Sequence, residues 1–233
     1  MRRVLSFDVG TRSLGYAVVA EGAAEFTVER WATVDLLAGE VKPNLQTVTE
    51  RMLEFLSGLD VSGVTDVVLE AQRGGKFGNM TMVTVSYVMF AFYKTRSLTV
   101  PGAPAPRFQS PVLKVSAAKR LLPDAVVAAK TRAAAPDETQ RQSNARHYTS
   151  NKDLSRAAVV ELLRVKPGMA SQPMHLAYHS ACKKQREDLS DCLMQAHAFL
   201  FPAAAPAPKK RVVKDAAEPA PAKKRRLKKD DAM

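Results

Sequence analysis

The chain has 233 residues, 46% of them hydrophobic and 25% charged, which suits one globular domain of ordinary size with an appendage. No stretch approaches the ~18 consecutive apolar residues of a membrane span, and Asp8 falls where a secretory leader needs its apolar run, so a soluble, unsecreted, intracellular protein is expected. The net charge of +12 points to a polyanionic partner, and two cysteines, Cys182 and Cys192, cannot build a disulfide framework.

In chain order, strands are predicted over 2–8, 14–20 and 26–34, each rich in Val, Phe, Tyr or Trp, with the tight turn Gly10-Thr11-Arg12-Ser13 joining the first two. Leu45, Val48, Met52, Phe55, Leu56 and Leu59 recur at helical spacing and predict a helix over 44–59. Residues 65–70 form a short buried strand that ends in Glu70. A loop over 73–78 leads into an apolar helix over 79–94, in which Met80, Met82 and Met89 are expected to fill core. Residues 101–106 read as loop and 107–115 as a further strand. The polar, Ala-rich stretch 131–147 lacks periodicity and predicts a mobile insertion. Ser150-Asn151-Lys152-Asp153 has the form of a capping box opening a helix to about residue 164. A last helix over 186–200 closes a domain that spans residues 1–201. Strands first, then strands alternating with helices, imply an α/β fold with a mixed sheet.

Beyond Phe201 the composition turns to Ala, Pro, Lys and Arg and predicts a disordered basic tail over 202–233. It carries half of the net charge, so the body is basic in its own right. The clusters Lys209-Lys210-Arg211 and Lys223-Lys224-Arg225-Arg226 suit nuclear import, a DNA-gripping arm, or no more than solubility.

Four acids stand out. Asp8 and Glu70 end predicted strands, where ligands gather in open α/β sheets. Asp188 and Asp191, three apart on a helix, share one face, with Gln195 along the same side; Leu189, Cys192, Leu193, Ala196, Phe199 and Leu200 make the apolar side. Two acids at a helix start can simply complement its dipole, but that accounts for neither Asp8 nor Glu70. Converging carboxylates offer the hard oxygen donors that Mg²⁺ requires. Two such ions can activate water and stabilise the leaving oxygen of a phosphodiester. Lys183 and Lys184, just before the pair, could offset charge on the phosphate. His175, His179 and Cys182 lack a fourth ligand for zinc and read as ordinary core or surface residues.

Taken together, these motifs resemble a known family. Phe7-Asp8-Val9-Gly10-Thr11-Arg12-Ser13-Leu14-Gly15 resembles the opening strand-turn of RuvC-like Holliday junction resolvases. Leu69-Glu70-Ala71-Gln72 resembles their second motif, with Ala71 where glutamine is usual. Lys183-Lys184-Gln185-Arg186-Glu187-Asp188-Leu189-Ser190-Asp191-Cys192-Leu193 resembles the last motif of poxvirus and fungal mitochondrial resolvases. The resemblance implies an RNase H-like fold with a mixed five-stranded sheet flanked by helices. It implies metal ligation by Asp8, Glu70, Asp188 and Asp191, with Lys183 or Lys184 as accessory cation and two Mg²⁺ (or Mn²⁺) per site. It further implies a homodimer that nicks opposed strands of branched DNA symmetrically, in a nuclear or viral replication compartment. By the same analogy Arg73 and Lys76 meet phosphate, Phe77 wedges into the junction or anchors its loop, and the stretch from Tyr148 to Lys152 contacts substrate.

Three other readings remain. Asp-x-Gly-Thr also opens sugar kinases and actin-like ATPases, but this chain is short for two such domains and has no second phosphate loop. An RNase H acting on RNA–DNA hybrids would need the same acids. A non-catalytic DNA-packaging protein would suit the charge but not the ordered carboxylates.

Overall fold

The computed structural model describes residues 1–10, 13–22, 26–37, 39, 44–72, 79–131, 133 and 137–203. The tail from residue 204 onward and the loop bearing Arg73, Lys76 and Phe77 lie outside the described residues.

Strand parity organises the fold. In β1 (Arg3–Asp8), Leu5 and Phe7 enter one apolar cluster while Val4 enters another on the opposite face. The same alternation runs through β4 (Asp66–Glu70), where Val67 and Leu69 join the first cluster and Val68 the second. Successive side chains point to opposite faces of a strand, so Asp8 and Glu70 belong to the face of Val4 and Val68. β2 (Ser13–Glu21) and β3 (Phe26–Asp35) extend the sheet from β1 in antiparallel fashion. β4 and β5 (Ala105–Gln109) extend it in parallel, giving the order β3-β2-β1-β4-β5. This is the predicted mixed five-stranded sheet.

The Leu5/Phe7 face is covered by α1 (Leu45–Gly58) and α2 (Met80–Thr99). Their starts are set by Asn44 and Asn79, whose side chains accept from Thr47 N at 2.7 Å and Met82 N at 3.3 Å. The other face is covered by α3 (Pro111–Leu121), α5 (Gln140–Val165) and α7 (Lys183–Leu200), with the short α4 (Asp124–Lys130) and α6 (Gln172–Ser180) around them. Among the described residues no helix is long and apolar enough to cross a membrane.

Several boundaries differ from the sequence reading. The fifth strand ends at Gln109 rather than running to residue 115, because Ser110 caps a helix and Pro111 occupies its first turn. The capping box lies at Thr139 and Gln142, where Gln142 N donates to Thr139 Oγ1 at 3.3 Å and Thr139 N to Gln142 Oε1 at 2.9 Å. Residues 140–147 are therefore the opening turns of α5. They are polar on nearly every side because little covers them, which removes the periodic signal. Met89 fills core as expected, whereas Met80 is exposed.

Candidate active site

Because β1 and β4 are parallel neighbours with Phe7 opposite Leu69, Asp8 and Glu70 emerge side by side at their carboxyl ends. α7 crosses the same end, and three contacts fix it. Gly15 in β2 leaves room for the helix backbone; a Cβ there would lie 2.8 Å from Asp188 O. Trp31 Nε1 donates to Leu189 O at 2.8 Å, and its ring stacks on Tyr178 at 4.9 Å. Gln195 Nε2 donates to Val68 O at 3.0 Å and Phe7 O at 3.4 Å, tying α7 to both acid-bearing strands. Asp188, Asp191 and Gln195 do share a face, as predicted, but that face is buried against the sheet end rather than open to solvent. The acid pair lies beyond the first turn of α7, which holds no acid, so dipole complementation does not explain it.

Two lysines complete the cluster. Lys114 Nζ, from α3, pairs with Glu70, and lies 3.1 Å from Asp191 Oδ2 and 3.9 Å from Asp8 Oδ1. Lys152 Nζ, from α5, pairs with Asp191 and lies 3.6 Å from Asp8 Oδ2. Asp8, Glu70 and Asp191 thus surround the Lys114 ammonium, and Asp8 and Asp191 share that of Lys152. Asp188 stands one helical turn away, with Lys184 Nζ at 2.6 Å from its Oδ1. Lys183 is largely exposed and 4.0 Å from Glu187. The Tyr148 ring, also exposed, lies 5.7 Å from Lys152 Nζ.

The charges are unequal in kind. Burial pushes the Asp8 carboxyl up to about 6, against the pull of Lys152 and Lys114 and with the push of Asp191 and Glu70. For Asp191 burial acts the same way, but Lys114 and Lys152 outweigh it and hold the carboxyl below its ordinary range. Burial works to depress both lysines; Asp191 and Asp8 nonetheless hold each well above the ordinary lysine range, with Glu70 adding to the effect at Lys114. Both ammonium groups are therefore charged at any physiological pH.

The donors fit a hard divalent cation in kind, being carboxylate oxygens throughout. Asp188 Oδ2 and Asp191 Oδ1 are buried without a hydrogen-bond partner, a costly state that a cation would relieve. In spacing, the centre is arranged around the two ammonium groups. Among the described residues no set of three His, Cys, Asp or Glu side chains is gathered tightly enough to hold an ion as they stand.

Of the predicted site residues, Asp8, Glu70 and Asp191 meet around the Lys114 ammonium, Asp188 and Lys184 flank them, and Lys183 is largely exposed. Lys152, expected among substrate contacts, lies at the centre. Lys114 was missed because 107–115 read as strand; the Ser110-Pro111 pair was the available signal.

No family model and no curated protein sequence matches the chain. Among solved structures, the yeast mitochondrial Holliday junction resolvase Ydc2 is similar with a TM-score of 0.53 and 12% identity, over 85% of this chain and 79% of that one. The fowlpox virus resolvase gives a TM-score of 0.47 at 10% identity, over 85% and 96% of the two chains. Thermus thermophilus RuvC gives 0.40 at 15%, over 65% and 93%. The order of strands and helices, a mixed five-stranded sheet flanked by helices on both faces, gives this chain the fold of the yeast mitochondrial structure.

Proposed function

We propose that the chain is a divalent-cation-dependent endonuclease that resolves four-way DNA junctions. The observation that carries this reading is the meeting of Asp8, Glu70 and Asp191 around two buried lysines at one end of a RuvC-like sheet. A structural cluster would need no such excess of buried charge. A purely architectural DNA-binding face would not aim carboxylates at phosphate.

Asp8, Glu70, Asp188 and Asp191 would hold the cation. When bound as a pair, Mg²⁺ ions supply Lewis-acid activation of water and stabilisation of the leaving 3′ oxygen. The remaining work belongs to the chain. Burial raises the Asp8 carboxyl in the metal-free centre, and a bound cation would favour its ionised form. Lys114 and Lys152 stay protonated and offer positive charge to the scissile phosphate once they withdraw from the carboxylates. Tyr148, exposed beside Lys152, presents a ring to substrate at the rim.

Paired nicking calls for a second copy. The outward stripe of α2, with Met80 and Tyr87 each 61% exposed and Leu98 73%, falls on one helix face and suits self-association. The basic clusters of the tail would add grip on DNA or direct nuclear entry.

The test is a labelled immobile junction, a linear duplex and an RNA–DNA hybrid at one fixed salt concentration, with and without Mg²⁺. Paired symmetrical nicks in the junction alone are expected. Asp8→Asn should retain binding while cleavage falls at least about 100-fold, the scale of losing preorganised charge at a reacting phosphate. Undiminished cutting by that variant, or nicks scattered through linear duplex, would overturn the reading.

A further inference from the structure

α7 turns a second face to a cleft away from the carboxylate centre. At about 100° per residue, Arg186 lies with Ser190 and Leu193, opposite Asp188 and Asp191. There a cleft of about 440 Å³ opens between α4, α5, α6 and α7, lined by Lys130, Arg156, His179 and Arg186 over an apolar floor that includes Val126 and Tyr178. Its volume is in the range of small-molecule sites.

The cationic side chains are incompletely matched. Nε of Arg156 and Nε of Arg186 are both buried without a hydrogen-bond partner. Arg156 pairs with Asp153 through a terminal nitrogen, leaving its Nε–H unused. Glu161, the other acid lining the cleft, is held in a fork by Arg164 at 2.6 and 3.0 Å. Arg186 makes no ion pair with any described residue. Both Nε atoms are closed off from solvent within the protein, so an anion entering the cleft would meet the terminal nitrogens of the two guanidinium groups. Their back wall is rigid. Tyr178, stacked on Trp31, shares a 3.0 Å hydrogen bond with Ser190, whose Oγ donates to Arg186 O at 2.6 Å.

We propose that this cleft is a second anion site, distinct from the carboxylate centre, which takes a phosphate-bearing ligand of nucleotide size with the phosphate between Arg156 and Arg186. Planar guanidinium forks suit phosphate oxygens, and Val126 and Val160, which line the cleft, offer the apolar surface that a sugar and base require. The ligand can be a backbone phosphate with its nucleoside in bound junction DNA, or a free nucleotide. Only the first source rests on the junction-resolving reading.

The experiment compares full-length Asp8→Asn protein with the same chain carrying Arg186→Gln. Junction binding is measured across a salt series, and thymidine monophosphate is titrated by NMR. If the site holds DNA, Arg186→Gln weakens binding and reduces the slope of log K against log salt by about one, the loss of a single phosphate contact. If it holds a free nucleotide, the slope stays fixed while thymidine monophosphate binding falls at least tenfold. An unchanged slope with no nucleotide binding in either protein would overturn the proposal. Lys130→Gln, at the exposed rim, repeats the measurement should Arg186→Gln fail to fold. Loss of the junction-resolving reading would show separately, as intact junctions after incubation of the unsubstituted chain with Mg²⁺.

Discussion

The two layers that flank the sheet are built to different ends. Behind Leu5, Phe7 and Leu69, α1 and α2 bury an apolar set in which Ser86 and the Tyr93 hydroxyl are the polar exceptions. Across the sheet, α3, α5 and α7 bury Lys114, Lys152, Asp188, Asp191 and Gln195 beside a comparable apolar cluster. Removing ions from water costs several kcal/mol each, and their mutual attraction returns this only when every partner is present. The α1/α2 layer thus supplies stability that the other layer partly consumes in holding buried charge.

The largest break in this contrast is Lys114→Met. It strands Glu70 and leaves Asp191 with one ammonium, so about 3–5 kcal/mol of stability should vanish in divalent-free buffer. Mg²⁺ should restore part of it, read as a rise in urea midpoint that the unsubstituted chain shows more weakly. Next comes Gly15→Ala. Its Cβ would lie 2.8 Å from Asp188 O, so the N-terminal half of α7 must move. A stability loss of about 1–3 kcal/mol is expected. Displacing the acid pair by even 1 Å should lower cleavage by roughly 100-fold in the folded fraction, checked by single-turnover assays.

A smaller effect tests the polar layer against itself. Burial pushes His197 down to about 4, with Arg120 and Lys166 adding to it, whereas Asp8 is pushed up to about 6. The unfolded histidine takes its proton near 6.5, so stability from His197 is present above that pH and is lost as pH falls toward 4. The Asp8 contribution runs the other way: the folded carboxyl binds its proton first, so acidification from about 6 toward 4 favours the fold. The two offset each other in the intact chain. In Asp8→Asn that offset is removed, and the thermal midpoint should fall more steeply between pH 6.5 and 4. The smallest change belongs to the apolar layer. Tyr93 Oη is buried without a partner, so Tyr93→Phe should leave stability unchanged or raise it by up to about 1 kcal/mol, measured by denaturant unfolding.

How far the sequence could be read follows the same division. The first three strands and the placement of Asp8 and Glu70 were legible because alternation and strand-end position are local properties. The Asp188/Asp191 pair was legible from helical spacing. Lys114 was not, since Val112 to Val115 look like strand unless Ser110-Pro111 is given weight as a helix start. Lys152 was visible as a helical residue, but only the packing of α5 against α7 shows that it reaches Asp191. The start of α5 was hidden because helix exposed on most sides carries no apolar period. The helices α4 and α6 went unpredicted, and α6 supplies the Tyr178 against which Trp31 stacks.

β5 has a further consequence at its outer edge. Ala71 N donates to Gln109 O at 2.8 Å, so Arg107 and Ala105, in phase with Gln109, also turn their backbone groups inward. Pro106 and Phe108 then face outward, and Pro106 has no N–H to give. An incoming strand would find one donor where it needs two, which protects this rim from runaway fibre growth. At this edge, copies of the chain are left to meet through side chains rather than by extending one another's backbone.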